Sequence, residues 1–210
     1  MYKNCFKRMI DLWLSLVVLP IFFWVFIIVG YFIKKEDKGP VFYKSKRLGK
    51  NQKTFEIYKF RSMKVNAPDI RNEDGSTFNS EKDSRITKIG SILRKTSVDE
   101  IPQIINVIKG DMSLIGPRPD TPEALKIYVG EEARKLEVKP GITGYNQAYF
   151  RNSIPQKEKF KNDVFYVDNL NLIFDFKIIL KTVTSVLAKS NINNKVITNG
   201  SREENNTKRA

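Results

Sequence analysis

The 210-residue sequence predicts a mixed α/β, helix-rich compact domain with an N-terminal membrane helix. Three observations predict it. Leu12 to Ile33 carries no charge, and only Ser15, Pro20 and Gly30 depart from apolar character. Lys38 to Met63 is rich in β-branched and aromatic residues between turn signals. Beyond Ile86, apolar residues recur at helical spacing.

As a helix, the Leu12–Ile33 run would reach about 33 Å, enough to cross a bilayer core. Its length, with no small-residue cleavage site behind it, argues against a signal peptide. Lys3, Lys7 and Arg8 precede the run, and Lys34 and Lys35 follow it, so neither end is singled out as cytoplasmic. Pro20 removes a backbone hydrogen bond mid-run and bends the helix. A helix that enters, breaks at Pro20 and returns to the same face fits both facts, and so does a plain kinked span.

The segments VFY and TFEIYKF read as strands, with turns at Gly39-Pro40 and Gly49-Lys50-Asn51. Lys64 to Ser84 is polar and reads as a long mobile loop. Ile86 to Lys95 is expected to be a short helix with Ile86, Ile89, Ile92 and Leu93 on one face. Ser97 to Ile108 is expected to be a second helix, closed by Gly110. Met112 to Ile115 is a short strand running into Gly116-Pro117-Arg118-Pro119. Thr121-Pro122-Glu123 carries the cap, N1 proline and acidic first turn of a further helix. Lys139 to Gly144 is a loop and strand entry.

Asp175 to Lys189 is amphipathic, with Phe176, Ile179, Leu180, Val183 and Leu187 as its apolar stripe and Lys177, Lys181 and Ser185 at spacing four. A helix on a membrane surface and one packed on the core both fit this pattern. Residues 190–210 lack periodicity and read as a disordered tail. The organisation is thus a membrane-embedded segment 1–35, a compact domain 36–189 and the tail 190–210.

Composition excludes several chemistries. There is no histidine and one cysteine, Cys5. His general bases, Ser-His-Asp triads, disulfides and Cys or His metal clusters are therefore ruled out. Any metal must be held by oxygen, which favours Mg²⁺, Mn²⁺ or Ca²⁺. The net charge of +14 suits a polyanionic partner: nucleic acid, an anionic membrane face or a phosphorylated small molecule.

The stretch with most chemistry is Asp83 to Pro119. Ser97 followed by Glu100 fits a capping box, which would put Asp99 and Glu100 in a first helical turn. Exposed N–H groups there would keep both carboxylates ionised. An ionised aspartate beside a divalent cation is a plausible nucleophile on phosphorus, although acidic first turns are also ordinary capping. Lys59, Arg61, Arg85, Arg94, Lys95 and Arg118 are the basic residues around the pair. Arg118, between two prolines, has the backbone most suited to a preorganised phosphate contact.

These motifs carry a resemblance. GPVFYKSKRLGKNQKTFEIYKFRSM, RITKIGSILRKTSVDEIPQIINVIKGDMSLIGPRP, KPGITGYNQ and DVFYVDNLNLIFDFKIILKT stand in the order seen in bacterial sugar transferases. The chain resembles their minimal form, the small monotopic phosphoglycosyl transferases. The resemblance implies that Asp99 attacks the β-phosphorus of a UDP-sugar, releasing UMP, and that polyprenyl (undecaprenyl) phosphate then takes the phosphosugar. It implies Mg²⁺ held by Asp99 and Glu100. It implies phosphate binding by Lys59, Arg94, Arg118 and, downstream of KPGITG, Arg151, with Arg61 grouped beside Lys59. It also implies a re-entrant helix broken near Pro20, interfacial amphipathic helices, and a catalytic domain on the cytoplasmic face of the bacterial inner membrane. The product would start glycan assembly, with downstream glycosyltransferases as further partners.

Pro20 follows Leu19 where the family has a Ser-Pro pair, and Phe150 precedes Arg151 where Gly-Arg is usual. The competing readings are a membrane-anchored interaction protein without turnover and a membrane-tethered nucleic-acid binder. The clustering of the basic residues around a carboxylate pair, rather than along a stacking platform, speaks against nucleic acid.

Overall fold

The structure is a computed structural model that describes residues 2–68, 70, 83–150 and 153–187. Arg151, the 190–210 tail and most of the 64–84 loop fall outside the described residues.

Helix α1 (Lys7–Asp37) follows a short π-helical turn, Tyr2–Phe6, and runs through Pro20. It closes where Lys38 turns left-handed and donates its N–H to Lys34 O at 3.0 Å. Lys7, Asp11, Ser15, Phe22, Val29, Gly30 and Ile33 are buried. They recur at spacings of four and seven, so they form one stripe along the helix. The other side exposes Trp13, Leu16, Val17, Phe23, Trp24, Ile27, Ile28 and Tyr31.

Strands β1 (Phe42–Leu48) and β2 (Thr54–Phe60) form an antiparallel hairpin with Phe42 opposite Phe60. Phe42 stacks on Phe26 of α1 with centroids 5.2 Å apart. Helices α2 (Lys88–Thr96) and α3 (Gln103–Lys109) complete this half. One core joins Phe22, Val29 and Ile33 to Phe60, Leu93 and Ile104. The N-terminal segment is therefore part of the domain's packing and not a detached tether. Gly90 lets α2 pack closely on the segment after β2, because a Cβ there would lie 2.0 Å from Ser62 O.

Strand β3 (Ser113–Ile115) pairs in parallel with β4 (Gly141–Thr143) across a long crossover. The crossover holds two 3₁₀ segments, Pro122–Lys126 and Gly130–Glu137. Helices α4 (Tyr145–Tyr149), α5 (Gln156–Asp168) and α6 (Leu172–Leu187) follow. Ile115, Val138, Ala148, Tyr166, Val167 and Ile178 form their common core.

Three expectations change. The helix expected from Ser97 is interrupted: Ser97 is left-handed and closes α2, Val98–Glu100 is a 3₁₀ turn, and α3 starts at Gln103. Pro102 has no N–H to give Val98 O, so an α-helix cannot propagate through it. The capping box is consequently absent, and the Ser97 side chain caps nothing. Thr121 opens only a 3₁₀ segment and its side chain makes no cap hydrogen bond. Finally, Ile92 points outward at 59% exposure, away from the buried Leu93.

Candidate active site

Asp99 and Glu100 occupy the tight turn between α2 and α3, which packs on β2. Glu100 Oε1 accepts from Lys59 Nζ at 2.6 Å and lies 3.5 Å from Arg118 Nη1. Lys59 and Glu100 are each about four-fifths buried, while Arg118 is more than half exposed. Among the described residues, the Asp99 carboxylate makes no hydrogen bond or ion pair, yet it feels the charges of Lys59, Arg94 and Arg118.

The two neighbours titrate in opposite directions. Burial raises Asp99 to about 6; Lys59, and behind it Arg94 and Arg118, restrain the rise, while adjacent Glu100 adds to it. Burial also acts upward on Glu100. There the Lys59 and Arg118 charges and hydrogen bonds outweigh it and hold the group at about 2. Both carboxylates are ionised at neutral pH, Glu100 firmly and Asp99 with a narrower margin than a first-turn carboxylate would have. Asp99 lies on a half-buried 3₁₀ turn, without the helix N-terminus that was to hold its charge.

The supports are specific. Arg94, on the last turn of α2, donates Nε to Ser62 Oγ at 2.9 Å. The Arg118 loop is fixed from both ends. Gly116 N bonds Thr143 O at 2.9 Å, and Gly141 N bonds Pro117 O at 2.9 Å. Beyond Pro119, Asp120 accepts from Lys135 Nζ at 2.7 Å and from the Tyr128 hydroxyl at 2.9 Å.

Arg61 is not with the site. Its guanidinium grips the Asp37 carboxylate at the end of α1, and it also donates to Pro40 O at 2.6 Å and Met63 O at 3.1 Å. It is buried, and Nε, Nη1 and Nη2 are all engaged, so the sequence-based grouping with phosphate ligands is corrected to a latch.

Sequence reasoning missed two buried networks. Lys135 lies 2.7 Å from Asp120 and 2.5 Å from Asp163, which also accepts from Asn146 Nδ2 at 2.6 Å. Asp175 accepts from Tyr2, Lys7 and Tyr166 at 2.6, 2.6 and 2.8 Å, and Asp11 accepts from Ser113 Oγ at 2.7 Å. A signal for the second existed: Lys7, Asp11 and Ser15 stand at spacing four beside an apolar run, which marks a docked face.

For a metal, the donors at hand are Asp99 and Glu100, and no cluster of three acidic, His or Cys ligands occurs among the described residues. Two carboxylates suit Mg²⁺, which binds through one or two carboxylates with substrate phosphates and water.

A family model described as bacterial sugar transferase matches residues 2–189. The chain is 41% identical over 186 residues to "Uncharacterized sugar transferase EpsL" of Bacillus subtilis, covering 89% of each. It is 38% identical to an undecaprenyl-phosphate galactose phosphotransferase of Salmonella typhimurium, over 87% of this chain and 40% of that protein. It is 35% identical to a UDP-N-acetylgalactosamine-undecaprenyl-phosphate N-acetylgalactosaminephosphotransferase of Aeromonas hydrophila, over 86% of this chain and 43% of that protein. The chain thus spans less than half the length of these last two relatives.

Proposed function

The chain belongs to the bacterial sugar transferase family, and from that premise we propose that it moves a sugar 1-phosphate from a UDP-sugar to a membrane polyprenyl phosphate through an Asp99 intermediate. The observation that carries this reading is the division between the paired carboxylates. Glu100 is pinned by Lys59 and Arg118, while Asp99 stands unbonded in the field of the same cations.

An Asp99 Oδ attacks the β-phosphorus, and the bond from that phosphorus to the bridging oxygen breaks. UMP leaves with the bridging oxygen and the phosphosugar stays on the carboxylate. A phosphate oxygen of the polyprenyl acceptor then attacks the same phosphorus, freeing Asp99 and giving a polyprenyl-diphosphate sugar that starts glycan assembly. Carboxylate attack on a diphosphate meets charge repulsion, so positioned cations must offset it. Arg118, half exposed on its rigid loop, and Arg94 serve this role, while Lys59 keeps Glu100 ionised. Mg²⁺, when held by Asp99 and Glu100, supplies further neutralisation of the diphosphate.

The acceptor cannot leave the bilayer, and two apolar surfaces support placement at a membrane. One is the exposed side of α1. The other is α6, whose Leu172, Ile173, Phe176, Leu180 and Val183 face outward while Asp175 and Ile178 face the core. The 31-residue α1 would be about 46 Å long, and its buried stripe from Lys7 through Ser15, Phe22 and Val29 to Ile33 docks it on the domain along its length. A straight crossing would drag the domain into the hydrocarbon. Insertion from one side only, with the exposed face of α1 towards lipid and its buried stripe on the domain, avoids this.

The experiment is UMP release across a panel of UDP-sugars, with and without undecaprenyl phosphate, followed by trapping with labelled donor. UMP release, a labelled Asp99 peptide and a silent but folded Asp99→Asn are expected. EDTA should stop turnover and Mg²⁺ restore it. Product formed without any covalent adduct would overturn the Asp99 intermediate.

A further inference from the structure

A second cationic cavity lies away from Asp99, at the closed end of the β1–β2 hairpin. It encloses about 300 Å³, and Lys50, Lys53, Phe55, Gly110, Asp111 and Lys139 are among its lining residues. Lys59, Asp99, Glu100 and Arg118 do not line it.

The cations converge there by construction. Asn51 and Gln52 are successive non-glycine residues with φ of 55° and 62°, a costly conformation that shapes the turn between Lys50 and Lys53. Gly49 N bonds Lys53 O at 2.7 Å and closes that turn. Across the cavity, Gly110 ends α3 at φ 93°. A Cβ placed on Gly110 would lie 3.5 Å from Arg8 Nη2 and 3.7 Å from Lys139 Nζ, so two cations approach one point. Arg8 is locked there by donating to Val107 O at 2.6 Å and Ile108 O at 3.1 Å.

The charges do not balance. Among the described residues, the half-buried Lys139 ammonium makes no hydrogen bond or ion pair. The cavity's carboxylate, Asp111, accepts from Asn106 Nδ2 at 3.3 Å and lies 3.9 Å from Lys109. Burial, then the charges of Arg8 and Lys50, pull Lys139 below the usual lysine range, while the carboxylates of Asp11 and Asp111 act against them and only partly offset them. An unpaired, partly desolvated ammonium beside an immobilised guanidinium is costly unless an anion completes it.

We propose that this cavity is a second anion site, in which Lys139 and Lys50, with the Arg8 charge behind Gly110, hold a phosphate-bearing group separate from the substrate at Asp99. The chemistry is that of a phosphate mono- or diester. A soluble phosphate and the headgroup of an anionic phospholipid both present it, and Arg8 at the start of α1 places the cavity beside the membrane-embedded helix.

The test uses pyridoxal 5′-phosphate, a phosphate-bearing aldehyde that condenses with lysine, on the full chain in detergent and in vesicles. Borohydride fixes the adduct and peptide mapping reads it. Lys139 should label several-fold above the exposed Lys46 and Lys161, and pyrophosphate should protect it. Protection by phosphatidylglycerol vesicles but not by phosphatidylcholine would assign the headgroup as source; protection by pyrophosphate alone would assign the soluble anion. Lys50→Gln should weaken protection of Lys139 several-fold with the thermal transition retained. Labelling of Lys139 at the level of Lys46, or protection unchanged in Lys50→Gln, would overturn the proposal. The readout involves no turnover, so the reaction at Asp99 and this site can fail independently.

Discussion

Lys59 Nζ lies 2.6 Å from Glu100 Oε1, and that contact ties strand β2 to the turn carrying Asp99. It also separates the acidities of two adjacent carboxylates. Without Lys59, Glu100 would keep only Arg118, at 3.5 Å and largely in solvent.

Lys59→Met should therefore damage stability and activity together. Removing one partner of a largely buried pair costs about 3 kcal/mol, at the low end of the usual range because Arg118 remains. Denaturant unfolding measures the loss. UMP release should fall at least as steeply as the folded fraction; full turnover by the folded protein would remove Lys59 from the site.

The pH dependence follows from the two directions. Asp99 must be ionised to attack, so kcat/KM for the donor should rise with pH and then level off, with a midpoint that Mg²⁺ pulls below the metal-free value of about 6. For stability the signs differ. The raised Asp99 pKa favours the protonated fold, a contribution present below 3.8 and lost as pH rises through about 6. Asp99→Asn should thus melt higher than the parent at pH 8, with the gap closing in acid. Glu100 contributes stability present above 4.5 and lost as pH falls towards 2. Calorimetric melts across this range test both signs, and an Asp99→Asn protein less stable at pH 8 would contradict the first.

Arg61→Ala should unlatch α1 without touching the substrate. Its removal leaves the Asp37 carboxylate at the α1 end without its main partner, which costs on the order of 2 kcal/mol or more. The KM for the UDP-sugar, measured on folded protein in detergent, should stay near the parent value. A several-fold rise in KM alone, with stability kept, would restore Arg61 to phosphate binding.

Lys135→Met should be the most destabilising of these changes. Lys135 is buried between Asp120 and Asp163, which would then face each other uncompensated, at a cost of about 3–5 kcal/mol. Adding Asp163→Asn should recover part of that loss. A double variant no more stable than the single would argue against charge as the cause.

Much of the fold was legible because it rests on local pattern. The uncharged run from Leu12, the alternation in TFEIYKF and the periodicity from Ile86 each encode an element within a few residues. Gly116-Pro117-Arg118-Pro119 announced a constrained loop, and hydrogen bonds from Gly116 N to Thr143 O and from Gly141 N to Pro117 O fasten its first half to β4. The break at Pro102 was also readable, since proline's missing donor is a property of the residue itself. The capping-box pattern at Ser97 competed with it and lost, because Ser97 closes the preceding helix in left-handed geometry.

By itself, then, the sequence determined which chemistry is available: an adjacent Asp99-Glu100 pair, basic residues around it, no imidazole, and a hydrophobic helix at the front. The tertiary structure decided which partner each charge receives. Glu100 meets Lys59 from 41 residues away, Arg61 is taken by Asp37, and Asp99 is left unbonded. The reason is physical. Helix and turn propensities act over one or two turns of chain, whereas ionisation depends on burial and on charges within a few ångströms, whatever their separation in sequence.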